Sequence, residues 1–239
     1  MTDGSVRTAL ITGASRGLGL ALAHGLAARG WHLILDARGA ADLESARAEL
    51  AHQTSVQAIP GSINDPAHRA ALAGAAQSAG GLDAVINNAS FLGPSPQPNL
   101  LQYPLETLAE VYATNVIAPL ALLQAVWPHL KPNARIVNIT SDAGVEAYAG
   151  WGGYGSSKAA LEHLSAILAA ENPDWPIYWV DPGDMNTQML QEAYPGEDVS
   201  DRPLPEVSVP GLLALLGAGG EPPLPSGRYA AREIAAAVK

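Results

Sequence analysis

The sequence predicts an α/β fold in which a parallel sheet carries helices on both faces. Three observations predict it. Short apolar runs alternate with helix-patterned stretches from near the start to about residue 180, as in strand–helix–strand units. A glycine-rich turn joins the first predicted strand to the first predicted helix. Alanine and glycine are abundant while aromatic residues make up 5%, with one phenylalanine, which suits helices packed closely on a sheet better than a β-sandwich.

The elements follow in order. Residues 7–11 read as a strand, and residues 17–29 as an amphipathic helix stopped by Gly30. Residues 31–35 form a strand, 40–52 a helix and 55–59 a third strand. Pro66 stands in the first turn of the next helix, which runs to about residue 79. Residues 82–86 are a continuous apolar strand, followed by a long helix over 105–130. A strand at 135–139, a helix at 154–171 and a strand at 177–180 complete the alternation. Between Pro195 and Pro225 there are seven prolines and little periodicity, with room for a short helix at 212–216 and a last strand at 227–231. The chain reads as one domain over 1–239, with 185–226 an irregular substrate-lid and C-terminal segment within it.

Composition narrows the function classes. At 239 residues the chain is long enough for one α/β unit with a sizeable core. It has no cysteine, which excludes disulfides, thiolate metal sites and cysteine nucleophiles and makes a reducing, cytoplasmic setting the expectation. The first five residues are polar and carry no apolar signal region, and no unbroken apolar run approaches the ~18–20 residues of a membrane span. The formal charge of −10, from 23 acids and 13 bases, argues against a nucleic-acid partner. His24, His32, His52, His68, His129 and His163 have no acid or second histidine at ligand spacing. They read as structural or surface residues, and no metal is expected.

Two local patterns carry chemistry. Thr12-Gly13-Ala14-Ser15-Arg16-Gly17-Leu18-Gly19 links a strand to a helix. Its glycines let backbone approach a phosphate, and the helix start offers unpaired N–H groups and a positive dipole end. Tyr154 and Lys158 are four apart at a predicted helix start, hence on one face. A free tyrosine titrates near ~10, and a neighbouring ammonium stabilises its phenolate and lowers that value. Ser141 directly follows a buried strand, placed to donate its hydroxyl to a carbonyl oxygen.

With these residues the sequence resembles the short-chain dehydrogenase/reductase family over about residues 6–190. The likeness rests on residues 12–19, Asn87-Asn88-Ala89, Asn115, Ser141, Tyr154-x-x-x-Lys158, and Pro182-Gly183 followed by Thr187. The resemblance implies a three-layer, doubly wound Rossmann-type sheet in the order 3-2-1-4-5-6-7 and a nicotinamide cofactor. It implies Tyr154 as proton donor or acceptor and Ser141 as the group that polarises the carbonyl. Lys158 would lower the tyrosine pKa and bind the nicotinamide ribose, Asn115 would hold a water leading to Lys158, and Thr187 would contact the carboxamide. Gly13, Ser15, Arg16, Gly17, Leu18, Gly19, Arg38, Ser62, Ile63, Asn88, Ala89, Tyr154, Lys158, Pro182, Gly183 and Thr187 would line the cofactor site. The chain departs from the family pattern at Ser90, where a glycine is usual, at Ser62-Ile63, where an Asp-Val pair is frequent, and at Ser226-Gly227-Arg228-Tyr229, which stands for a glycine-rich ending.

Asp36 lies at the distance from the glycines where an NAD-selecting acid is sought. In relatives that the sequence resembles, the NAD-selecting acid directly precedes the arginine of NADP-users; here that position is Ala37, followed by Arg38, so Asp36 is expected to point away from the site Arg38 faces, and Arg16 adds a second cation. Two guanidinium groups suit a 2′-phosphate, so NADP(H) is expected in preference to NAD(H). Phe91, Leu92, Tyr148, Trp151, Met185, Met189 and Leu190 are candidates for the substrate pocket, with Asp142 and Glu146 as unusual acids beside Ser141. Asp142 either bonds locally or meets a polar or cationic part of the substrate. The apolar helices at 105–130 and 154–171 predict a homodimer or homotetramer. The expected activity is NADPH-dependent reduction of a small ketone or aldehyde. The alternative is an NADP(H)-binding sensor or regulator without catalysis.

Overall fold

The computed structural model describes residues 6–237. The polar stretch 1–5 lies outside the described residues. The strands are β1 (Thr8–Thr12), β2 (His32–Ala37), β3 (Val56–Pro60), β4 (Leu82–Asn87), β5 (Leu130–Ile139), β6 (Ile177–Asp181) and β7 (Gly227–Ala230). They form one parallel sheet in the order β3-β2-β1-β4-β5-β6-β7. The helices are α1 (Gly17–Ala27), α2 (Ala40–Leu50), α3 (Pro66–Ser78), α4 (Leu105–Tyr112), α5 (Ala118–Val126), α6 (Gly152–Glu171), α7 (Gln188–Ala193), α8 (Val209–Leu215) and α9 (Ala231–Ala237).

The period of two along a strand divides the core. Ala9 and Ile11 of β1 and Leu33 and Leu35 of β2 enter one layer, with Leu22 and Leu26 of α1 and Leu43 of α2. Leu10 and Ile34 enter the other, with Leu72 of α3 and Leu122 and Val126 of α5. Both faces are covered, which is why the strands read as continuous apolar runs rather than alternating ones.

Two expected elements differ. The helix expected over 105–130 is α4 and α5 joined by a π-helical turn at Ala113–Ile117. Pro128 sits in a 3₁₀ turn at Trp127–His129, so β5 starts at Leu130, earlier than expected. The composite helix Leu105–His129 is, among the described residues, the one helix long and apolar enough to cross a membrane, although no unbroken apolar run marks it in the sequence. Its Val116, Leu122, Leu123 and Val126 are buried, the last three packed against the sheet.

The segment 185–226 is not irregular throughout. Pro210 falls in the first turn of α8, where a missing N–H costs nothing. Leu212 and Leu215 of α8 are fully buried against α1, and a Cβ at Gly211 would collide with the Ala231 carbonyl of α9. The short helix expected at 212–216 is thus α8, and only its start was missed, because a proline at a helix start and one that breaks a helix look alike by count.

Candidate active site

The strand order reverses between β1 and β4, and a cleft opens beyond their carboxyl ends. Its volume is about 1290 Å³. At one wall β1 runs into the glycine turn. Gly13 adopts φ of 65°, and a Cβ there would lie 2.9 Å from Ala89 Cα. Gly19 does not line the cleft: it packs beneath it, where a side chain would collide with the Gly13 carbonyl and the Asn88 amide. Thr12 Oγ1 accepts from the N–H groups of Asn88 and Ala89 at 3.0 Å each. Asn88 Nδ2 donates to the carbonyls of Thr12 and Gly13 at 2.9 and 3.0 Å, so the two loops hold each other. Arg16 precedes α1 in extended backbone with no side-chain cap, which leaves the first N–H groups of α1 toward the cleft.

Ser15, Arg16, Gly17, Leu18, Arg38, Ser62, Ile63, Asn88, Ala89, Pro182, Gly183 and Thr187 all border the cleft. Arg38 is exposed and makes no ion pair among the described residues. Arg16 donates to Gln188 Oε1 at the start of α7. Thr187 Oγ1 caps α7 by accepting from the Leu190 N–H. Contrary to the expectation that it points away from the site Arg38 faces, Asp36 borders the same cleft, because residues two apart along an extended chain share a face; it is buried, with Oδ1 2.6 Å from His68 Nε2 on α3. His68 thus pairs with an acid 32 residues away along the chain, a structural contact that ligand-spacing arguments do not reveal. Burial pushes the Asp36 carboxyl up and His68 draws it back.

Ser141, Tyr154 and Lys158 meet on the wall of the same cleft. Ser141 follows β5, while Tyr154 and Lys158 lie one turn apart near the start of α6. Lys158 Nζ donates to the Ile139 carbonyl at 2.8 Å and lies 5.4 Å from the Tyr154 ring centroid. Asn115, carried inward by the π-turn, stands behind the wall rather than on it. Its Oδ1 accepts from Phe91 N at 2.8 Å and Ser90 Oγ at 3.1 Å. Its Nδ2 donates to Phe91 O and Ser157 Oγ at 2.9 Å each. Two donors and two acceptors of the side chain are thus filled by protein. Asn115 is a strut between the 90–91 loop and α6.

Burial, rather than Lys158, sets the direction of the Tyr154 titration in this structure. Burial dominates and pushes the Tyr154 phenol well above its ordinary range; the Ser90 and Ser141 hydroxyls pull it partway back, and Asp181 and Asp142 push it further up. The lysine is itself buried, and burial lowers it to about 8, against an upward pull from Glu162. The folded value lies below that of the exposed side chain, so the unfolded chain binds this proton more tightly and the native state gains stability as pH rises from about 8 toward 10.5. Lys158→Met is expected to lack that rise. Melting temperatures of the two proteins across this pH range test it, and parallel curves would refute it.

Phe91, Leu92, Tyr148, Trp151, Met185, Met189 and Leu190 all border the same cleft. Sequence reasoning missed Tyr194, whose ring lies 5.9 Å from that of Trp151, because nothing local marks it. Asp142 takes the local role: its Oδ1 accepts from Ser141 Oγ at 2.9 Å and Ala143 N at 2.8 Å, and its Oδ2 from Tyr148 OH at 3.0 Å. Glu146 is exposed and lies off the cleft.

The chain was compared with known proteins. The family model for short chain dehydrogenases matches residues 7–198. A rhamnolipid-biosynthesis 3-oxoacyl-[acyl-carrier-protein] reductase of Pseudomonas aeruginosa is 36% identical over 177 residues, covering 69% of this chain and 66% of that protein. A short chain dehydrogenase structure from Pseudomonas syringae superposes with a TM-score of 0.87 at 31% identity, covering 97% of this chain and 99% of that one. A short chain dehydrogenase from Shigella flexneri, in complex with NADP, superposes with a TM-score of 0.87 at 27% identity, covering 95% and 97%.

Proposed function

The chain belongs to the short-chain dehydrogenase family, and on that footing we propose that it is an NADPH-dependent reductase of a small ketone or aldehyde. The observation that carries the proposal is the meeting of Ser141, Tyr154 and Lys158 on one cleft wall. A nicotinamide dinucleotide fits this cleft. The tight Gly13 turn and the uncapped start of α1 suit its pyrophosphate. Arg38, without an ion pair, and Arg16 suit a 2′-phosphate. Asp36 does not compete for the ribose, because its carboxylate is engaged by His68. The complex of the Shigella flexneri protein with NADP agrees with this reading.

When bound, the cofactor supplies the hydride. The chain's own residues do the rest. Ser141 Oγ turns from Asp142 to donate to the substrate oxygen, and the Tyr154 hydroxyl gives that oxygen its proton. The Lys158 ammonium, fixed by the Ile139 carbonyl, offsets negative charge left on the phenolate. Trp151, Tyr194, Met189 and Leu92 hold the apolar part of the substrate and exclude water. Loss of NADPH absorbance with a panel of diketones, quinones and aromatic aldehydes tests the proposal. Turnover of none of them would overturn it.

Assembly belongs to the same proposal. Ile117, on the composite helix, and Ile167, on α6, are exposed, and partly covered Leu120, Leu164 and Leu168 flank a narrow crevice between the two helices. A second copy would cover this face, giving a homodimer or homotetramer. Light scattering at micromolar concentration is expected to return a multiple of 24.7 kDa, and a monomer mass would overturn it.

A further inference from the structure

Behind the catalytic wall, Arg228 of β7 reaches three segments at once. Its Nε donates to Glu162 Oε1 on α6 at 3.0 Å. Its Nη2 donates to the Ser141 main-chain carbonyl at 3.3 Å and lies 3.4 Å from Asp181 Oδ2 at the end of β6. Each segment forms part of the site. Ser141 is the proposed carbonyl-polarising residue. Glu162 lies one helical turn beyond Lys158, on the same face, and accepts from Thr140 Oγ1 at 2.8 Å as well. Asp181 Oδ1 accepts from Gly183 N at 2.8 Å and so shapes the Pro182-Gly183 turn that borders the cleft.

We propose that Arg228 is a positioning residue of the catalytic centre: it ties the Ser141 loop, the Asp181 turn and Glu162 together and offsets two of the carboxylates that act on Lys158 and Tyr154. The charges around this pair come from every packed element. Asp142 and Asp181 act on Tyr154 from the ends of β5 and β6, Glu162 acts on Lys158 from α6, and Arg228 contributes the cation from β7. Half-buried carboxylates act on their neighbours more strongly than exposed ones do, because less water screens them. With Arg228 gone, both act unopposed, and the direction is the same at both partners: the ammonium is held more tightly and the phenolate is disfavoured. Two effects follow: Lys158 titrates at higher pH, and alcohol oxidation, which needs the phenolate, shifts its acid limb upward.

The proposal rests on the reductase reading for its catalytic meaning, but its test does not need turnover. The chain has three lysines, Lys131, Lys158 and Lys239, so NMR of protein labelled at the lysine ε-carbon follows Lys158 individually. In Arg228→Met, Lys158 is expected to titrate about half a unit or more above its wild-type value of about 8. Adding Glu162→Gln should remove most of that rise. Arg228→Lys keeps the charge and should titrate close to wild type. A folded Arg228→Met protein whose Lys158 titrates as in wild type would overturn the proposal, as would an Arg228→Lys protein that behaves like Arg228→Met. A wild type that reduces no carbonyl would instead sink the reductase reading, and the titration would still decide for or against Arg228.

Discussion

Tyr154→Phe is expected to lower kcat by about two to four orders of magnitude while leaving NADPH affinity nearly unchanged. General acid–base catalysis by one positioned side chain contributes roughly 10²–10⁴-fold. The substitution removes one oxygen and keeps the ring, which is buried with Leu92 and Ala143 and packs edge-on to Trp151 at 5.9 Å. The site therefore keeps its shape and loses its proton donor. Burial makes the effect larger, because bulk water has little access to the position of that proton. Steady-state turnover with the best substrate of the panel, beside fluorescence titration with NADPH, separates the two quantities. Equal turnover by the variant would remove Tyr154 from the proton-transfer role. A wild type that binds NADPH and turns over nothing would instead favour the sensor or regulator reading.

Arg38→Ala is expected to lower kcat/KM for NADPH by about ten- to a hundredfold and to leave kcat/KM for NADH almost unchanged. A hydrogen bond to a charged group is worth about 1.5–3 kcal/mol, and guanidinium–phosphate pairs are bidentate. Arg38 is the better choice than Arg16 because Arg16 already donates to Gln188, so its loss also frees the start of α7. The local sign of charge matters here. The chain carries −10 overall, so a phosphate must be met by a cation placed at the site rather than by the general field. Kinetics with both cofactors for both proteins check this. A wild type that prefers NADH, or a variant that loses both cofactors equally, would refute the assignment.

Much of the fold was legible because its signals are local. Apolar strands, the glycine turn and the Gly30 stop depend on neighbours a few residues away, and all seven strands lie near their expected places. Three features were not legible for identifiable reasons. The π-turn at Ala113–Ile117 leaves the apolar pattern of a long helix intact, so periodicity does not reveal it. The first turn of α8, Val209-Pro210-Gly211, precedes the helix expected from residue 212 and by composition reads as loop. The engagement of Arg16 by Gln188 joins residues 172 positions apart.

The site divides along the same line. The sequence by itself determined which chemistry is present: a glycine turn, a serine after a buried strand, and a tyrosine and lysine on one helical turn. These are short-range patterns, and backbone geometry alone puts each group in its place. Tertiary structure alone decided how the groups are poised. It saturates Asn115, engages Asp36 with His68, raises Tyr154 by burial and lowers Lys158, and brings Arg228 to Ser141 across 87 residues. Burial and charge are summed over everything that packs nearby, and what packs nearby is set by the whole fold rather than by adjacency along the chain.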